Sequence, residues 1–270
     1  MHSHQPVFCI FLCLPAVLRA TPALDLEANS IEVSRAVSSG SLEPSDELRI
    51  TARAIRSSLN EMNAVTCMKS IRTRRVNDSS NKNSPEIRIP IRYSRGIESW
   101  DSLSVNGREM PAERARLRNW VYGEMGPILD DVADAIDAHQ FSLTRRQKWG
   151  GQAVDVFSRN ALGSWQLTLG DLFLPAYRQE IWVWSGTGQI ARVSNVTTGP
   201  FGKAGVNVVT WMIDYDMILL ATRRYLVPIH SFMTVDYSRS TLQMESAFLT
   251  YREFTSEASI RFEKTAENPR

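Results

Sequence analysis

From Pro44 to Met62 apolar residues recur at alternating steps of four and three: Leu48, Ala52, Ile55, Leu59 and Met62. That spacing places them on one face of an amphipathic helix. Ser45 is the expected N-cap, with Asp46 and Glu47 in a first turn where the helix dipole favours negative charge. From Val65 the period changes to two, with Val65, Cys67 and Ile71 on one side and Thr66, Ser70 and Arg72 on the other. Ile87, Ile89, Ile91 and Tyr93 alternate with Arg88, Arg92 and Ser94 in a second half-buried strand. Pro90 has no N–H for a ladder, so this strand is expected at an edge or with a bulge. A short strand holds Trp100, Leu103 and Val105, and Asn106-Gly107 turns the chain after it.

Pro111 to His139 reads as a second helical region. Gly123 and Gly126-Pro127 break it, and Ile128, Leu129, Val132, Ala135 and Ile136 restart it. Beyond Gln140 almost everything alternates with period two. Phe141 and Leu143 lead to a turn at Trp149-Gly150-Gly151, and Val154 and Val156 follow. Trp165, Leu167 and Leu169 form one strand. Ile181 and Val183 alternate with Trp182 and Trp184 in another that is apolar on both faces. Ser185 to Gly188 closes a hairpin onto Gln189–Val196, and strands follow at Val206–Tyr215, Tyr225–Tyr237, Thr241–Phe254 and Ser259–Phe262. Short turns between consecutive strands imply an antiparallel meander. The expected fold is α+β: a curved antiparallel sheet of eight to ten strands, a half-barrel, covered by two helical segments.

The first 23 residues stand apart. Val7 to Leu18 is an apolar run of signal-peptide length, too short to span a bilayer, and small residues up to Ala23 suit cleavage. The n-region lacks Lys and Arg, so a buried N-terminal helix is the alternative. The organisation expected is a signal peptide over 1–23, a polar lead-in over 24–44, one domain over 45–263 and a polar tail over 264–270. Export to the periplasm or outer envelope follows, with no membrane span left after cleavage.

A net charge of +2 among 270 residues argues against a nucleic-acid binder. After cleavage Cys67 is the sole cysteine, on the apolar side of its strand, where a thiol behaves as a small hydrophobe. The catalytic motifs are missing: no Gly-x-Ser-x-Gly elbow, Walker loop, His-Glu-x-x-His or Cys-x-x-Cys. Gly186-x-Gly188 opens no helix and belongs to a hairpin. His139 ends a helix, and His230 leaves a strand without a visible partner. Asp130, Asp134 and Asp137 share a helix face, which reads as solvated surface before it reads as an oxygen-ligand metal site. Arg72, Arg74 and Arg75 with Arg145, Arg146 and Lys148 would meet anionic head groups if one face gathered them, though exposed strands are commonly charged. No cofactor is implied.

Several stretches in order resemble a family of secreted bacterial proteins found notably in acidobacteria. They are Asn63-Ala-Val-Thr-Cys67, Gly123-Glu-Met-Gly126, Gly150-Gly-Gln-Ala-Val-Asp-Val-Phe157, Asp214-Tyr215, Leu226-Val-Pro228, and Tyr251-Arg-Glu-Phe254 through Ile260-Arg-Phe262. The architecture is similar to the LolA/LolB and RseB-like folds, which implies binding of lipoprotein acyl chains or sensing of envelope states. No residue of this chain matches a LolA functional motif. The resulting expectation is a non-enzymatic envelope protein whose concave sheet binds a lipid or lipoprotein acyl chain. Ile89, Ile91, Trp165, Leu167, Trp182 and Trp184 are the expected lining. The rivals are an envelope scaffold or sensor with a protein partner and, third, a hydrolase assembled from distant residues.

Overall fold

A computed structural model of the protein describes residues 43–62, 64–76, 85–111, 123–162, 176–201 and 205–253. Helix α1 (Pro44–Glu61) leads into β1 (Val65–Val76), then β2 (Glu86–Ser94), β3 (Ile97–Ser99), β4 (Ser102–Val105) and β5 (Arg108–Pro111). Helix α2 (Pro127–Asp137) is followed by β6 (Ser142–Trp149), β7 (Gln152–Leu162), β8 (Ala176–Trp184) and β9 (Gln189–Phe201). The long strands β10 (Val206–Leu220), β11 (Arg223–Tyr237) and β12 (Thr241–Glu253) complete the described chain.

All twelve strands join one antiparallel sheet in the order β5-β4-β2-β1-β12-β11-β10-β9-β8-β7-β6, with β3 paired to β2 off that path. It is a large, open, curved sheet with two helices, as the alternation and the two helical periods lead one to expect. The return of β12 to β1 makes the sheet continuous: Ile71 lies opposite Ser246 and Arg72 opposite Glu245. The first strand thus sits near the middle, and both rows of later strands hang from it.

One face carries the helices. Val65, Cys67 and Ile71 on β1 and Ile87, Ile89, Ile91 and Tyr93 on β2 are all buried there, as their period predicts. Pro90 is not on an edge strand. It faces Met68 of β1, while on the other side β4 pairs only Ile87 and Arg88 and β3 only Arg92 to Ser94. A residue with no N–H to donate fits that gap in the ladder.

Helix α1 starts two residues earlier than an N-cap at Ser45 would set it. Glu43 is the N-cap and Pro44 opens the first turn, where a missing N–H costs nothing. Its buried positions are Glu47, Thr51, Ala52, Ile55 and Ser58, so three of five are polar, and Leu48 and Leu59 are only half-buried. Helix α2 buries Ile128, Leu129, Val132, Ala133, Ala135 and Ile136. Arg56 of α1 bonds Asp134 (2.8 Å) and Asp137 (2.7 Å) of α2, with Asp130 at 3.8 Å, so the aspartates serve to join the helices. Pro111 ends β5, so the second helical region begins later than its sequence suggests. The residues 1–42, 112–122, 163–175 and 254–270 lie outside the described ones, and with them the signal-peptide and tail boundaries and the strands expected at Trp165 and at Ser259.

Candidate functional site

The space between α1 and the sheet is the candidate site. Helix α1 packs chiefly on α2 and meets the sheet at β9 and β11. Between them lies a cleft of about 220 Å³, lined by Thr51, Ile55 and Ser58 of α1 and by Ile190, Met217 and Leu226 of the sheet. Its walls are mixed, since Ser57, Glu61, Gln189 and Arg224 line it as well, and polar anchors hold α1 over it. Ser58 Oγ accepts from the backbone N–H of Leu226 at 2.8 Å, and Glu47 Oε1 accepts from the N–H of Gly186 at 2.9 Å. Ile50 presses on Gly188, where a Cβ would come within 2.4 Å of Ile50 Cγ2, and Gly188 has φ +68°. Only glycine satisfies both conditions at that turn.

Glu47 also faces Asp155 of β7, which bonds Ser185 Oγ at 2.8 Å and Arg146 Nε at 3.3 Å. Burial pushes the Glu47 carboxyl up to about 7, and its hydrogen bond with Asp155 and that neighbour's charge push the same way. The N–H of Gly186 and the Arg146 charge oppose the shift. The Glu47 carboxyl is therefore held toward its protonated form where α1 begins.

A second polar island fastens the segment ahead of α2. The Lys69 ammonium, 1% exposed, pairs with Glu124 and lies 5.1 Å over the Phe248 ring. Glu98 accepts from the N–H of Gly123 at 2.9 Å, and the Tyr215 hydroxyl donates to the Glu124 carbonyl at 2.8 Å. Burial, with Glu124 adding to it, pushes the Glu98 carboxyl up to about 7. Cys67 lies beside Met125, and burial pushes its thiol up to about 12, so it is protonated and inert at neutral pH. Period-two reading gave the inward side of β1 but passed over Lys69, whose type alone argued for solvent.

The expected lining residues divide between the faces. Ile89 and Ile91 are fully buried on the helix-covered face. Trp182 and Trp184 are half-buried on the opposite face, because Ile181 and Val183 take the inner one. Trp165 and Leu167 lie outside the described residues. On the outer face Trp149 stacks on Trp184 at 5.3 Å and meets Trp182 edge-on at 5.8 Å. Arg192 lies over both Trp149 and Trp182, and Arg145 lies over Trp182 while gripping Glu180. Neither arginine is a free cation.

The row continues from Arg192 through Asp214 to His230 and Glu245. Burial alone would raise the Asp214 carboxyl, but His230 and Arg192 hold it below its ordinary value. Asp214 raises the His230 imidazole against the opposing effect of burial, and Glu245 adds to it. The partners of His230 are carboxylates, an ion-pair ladder with neither hydroxyl nor thiol to activate. The two basic groups do not gather either. Arg72 to Arg75 sit on β1 and Arg145 to Lys148 on β6, seven strands away.

Among the described residues no three His, Cys, Asp or Glu side chains form a metal cluster, and no helix is long and apolar enough to cross a membrane.

No protein-family model matches the sequence, and no curated protein matches it. Solved structures do resemble it in outline. A domain described as an outer membrane lipoprotein-sorting protein, from Vibrio parahaemolyticus, is 11% identical with a TM-score of 0.43, over 80% of this chain and 95% of that one. A LolA superfamily protein from Nitrosomonas europaea is 13% identical with a TM-score of 0.36, over 78% and 97%. A DUF1329 family protein from Desulfovibrio piger is 12% identical with a TM-score of 0.38, over 80% and 94%. None of these comes from an acidobacterium, so the likeness to that secreted family rests on its motifs alone. At these scores the overlap carries no statement about ligand or activity.

Proposed function

We propose that this is an exported, non-enzymatic envelope protein that holds an apolar ligand, a lipid or lipoprotein acyl chain, between α1 and the concave sheet. The observation that carries the reading is the cleft itself: Ile55, Ile190, Met217 and Leu226 give it an apolar wall under a helix fastened by side-chain hydrogen bonds. About 220 Å³ is below the roughly 300–1,000 Å³ of ligand pockets. A bound chain therefore requires α1 to lift, and polar anchors allow that at lower cost than a continuous apolar seam. Ile89 and Ile91 would form the deeper wall of the same face; Trp182 and Trp184 would stiffen the sheet from outside.

The rival is a scaffold with no small ligand, favoured by the full burial of Ile89 and Ile91 in the closed state. A fluorescent fatty acid separates the two. The protein is expected to bind the probe and to carry lipid in native mass spectrometry, and Ile55→Trp, which fills the cleft, should weaken probe binding at least about tenfold. A wild-type protein that binds no probe and carries no lipid puts the scaffold in front.

A further inference from the structure

Strands β10 and β11 outrun their neighbours. Strand β9 pairs with β10 only up to Asp214, opposite Arg192, and β12 pairs with β11 only from His230 onward. Past that point Tyr215–Leu220 and Arg223–Pro228 pair with one another alone, from Tyr215 opposite Pro228 to Leu220 opposite Arg223. The result is a two-stranded arm whose base is buried, with Tyr215, Tyr225, Leu226 and Val227 all in the core, and whose tip reaches solvent. Its tip carries Met217-Ile218-Leu219-Leu220, then the turn Ala221-Thr222, then Arg223-Arg224. Leu219 is 64% exposed, Ile218 and Leu220 are half-buried, and both arginines are exposed.

Single exposed apolar residues need no explanation. Ile97, 65% exposed on β3, is one of those. Leu219 differs because it stands at the tip of a hairpin with two exposed cations, Arg223 and Arg224, directly across the turn, while Met217, Ile218 and Leu220 beside it pack back on the core. The arm is also a wall of the candidate site. Met217, Arg224 and Leu226 line the cleft, and the Leu226 N–H donates to Ser58 Oγ of α1. Its tip therefore stands next to the space under α1.

We propose that the tip of the β10–β11 arm is a docking surface for an anionic lipid bilayer, with Leu219 at the acyl boundary and Arg223 and Arg224 on lipid phosphates. Apolar side chains enter the interface and bring hydrophobic free energy, while guanidinium groups gain from the negative surface and bond phosphate in a fork. Neither is strong alone, and two weak signals together give reversible attachment. That suits a protein that must come and go. The inference rests on the lipid-holding reading above for its purpose but not for its geometry. It adds the direction in which the cleft opens, toward the membrane.

Co-sedimentation of the full chain with phosphatidylglycerol and with phosphatidylcholine vesicles tests it. Binding is expected to be tighter on the anionic vesicles and to fall with salt. Leu219→Asp should lower the affinity at least about tenfold on both surfaces. Arg223→Gln and Arg224→Gln should each cost about fivefold on anionic vesicles alone. Ile97→Asp, equally exposed but far along the sheet, should change nothing. All four positions face solvent, so thermal unfolding should report an intact fold. No vesicle binding by the wild type, or equal losses from Leu219→Asp and Ile97→Asp, overturns the proposal; a protein partner at the tip would give the first of these results. The fatty-acid probe, read on the same samples, keeps the two readings apart. Vesicle binding without probe binding leaves the docking surface standing and removes the cleft as a ligand site.

Discussion

Helix α2 turns Ile128, Leu129, Val132, Ala133, Ala135 and Ile136 into the core, whereas α1 buries Glu47, Thr51 and Ser58 beside Ala52 and Ile55. Both helices lie on one face of one sheet, yet different forces hold them. Apolar burial under α2 is non-directional, and any displacement exposes several side chains together. The anchors of α1 are hydrogen bonds to Leu226 and Gly186, which water replaces at a net cost of about 0.5–1.5 kcal/mol each. One helix is a wedge and the other a cover. That asymmetry is the physical basis for the proposal that a ligand would enter under α1 while α2 stays in place.

The strongest test of the asymmetry is a cavity under the wedge. Leu129, fully buried, should cost roughly 2–5 kcal/mol when replaced by Ala, measured as a lower denaturation midpoint with an unchanged slope. Ser58→Ala on α1 removes one acceptor and should cost less, with hydrogen exchange at Leu226 rising while exchange in α2 stays protected. Equal global losses from the two would mean that the helices form one cooperative block.

Much of this was legible in the chain. The period of two along Val65–Ile71 and Ile87–Tyr93 located the inner face of β1 and β2 residue by residue. The hairpin at Ser185–Gly188 and the turn at Gly150-Gly151 followed from glycine. The contents of α1's buried stripe did not follow. Leu48 and Leu59 have the right type, but the helix turns Thr51 and Ser58 inward to bond Glu47 and Leu226. Hydrophobicity gives no weight to a hydroxyl that finds a partner. The arm was hidden for the opposite reason. Met217 to Leu220 are apolar without alternation, so no period marked them as strand, and β10 and β11 extend past the strands read from Val206–Tyr215 and Tyr225–Tyr237. Nor could spacing reveal that His230 meets Asp214 and Glu245, because register across strands decides that contact.

A smaller effect comes from the proton at the start of α1. The Glu47 carboxyl rises from its ordinary 4.5 to about 7 in the folded protein, through burial first and Asp155 second. The folded state therefore binds a proton that the unfolded state releases. The stabilisation is complete below 4.5 and is lost as pH rises through about 7. Glu47→Gln carries an amide hydrogen in place of the Glu47 carboxyl proton at every pH. Relative to that variant, the wild type should lose roughly 1–3 kcal/mol between pH 5 and pH 8. Glu98 titrates in the same direction, but it is present in both proteins and cancels in the difference. Parallel stability curves would remove the Glu47 proton from the account of how α1 is held.

The smallest effect is expected at the seam between the helices. Arg56 bonds Asp134 and Asp137 and lies near Asp130, and all four side chains are substantially exposed. Exposed pairs of this kind contribute about 0–1 kcal/mol, since water and salt screen them and long side chains lose entropy in forming them. Removing the cation has a second consequence. Asp130, Asp134 and Asp137 succeed one another at helical steps of four and three, so their mutual repulsion is no longer balanced. Arg56→Ala should therefore lower stability by less than about 1 kcal/mol at low ionic strength, and the loss should shrink as salt is added. If α1 is the cover, the same change should speed exchange of a bound fatty-acid probe more than it lowers the unfolding midpoint, because the seam joins the moving helix to the fixed one. A salt-insensitive loss as large as that of Leu129→Ala would show that α1 and α2 move only together. The cleft would then open by some other route than the lifting of α1.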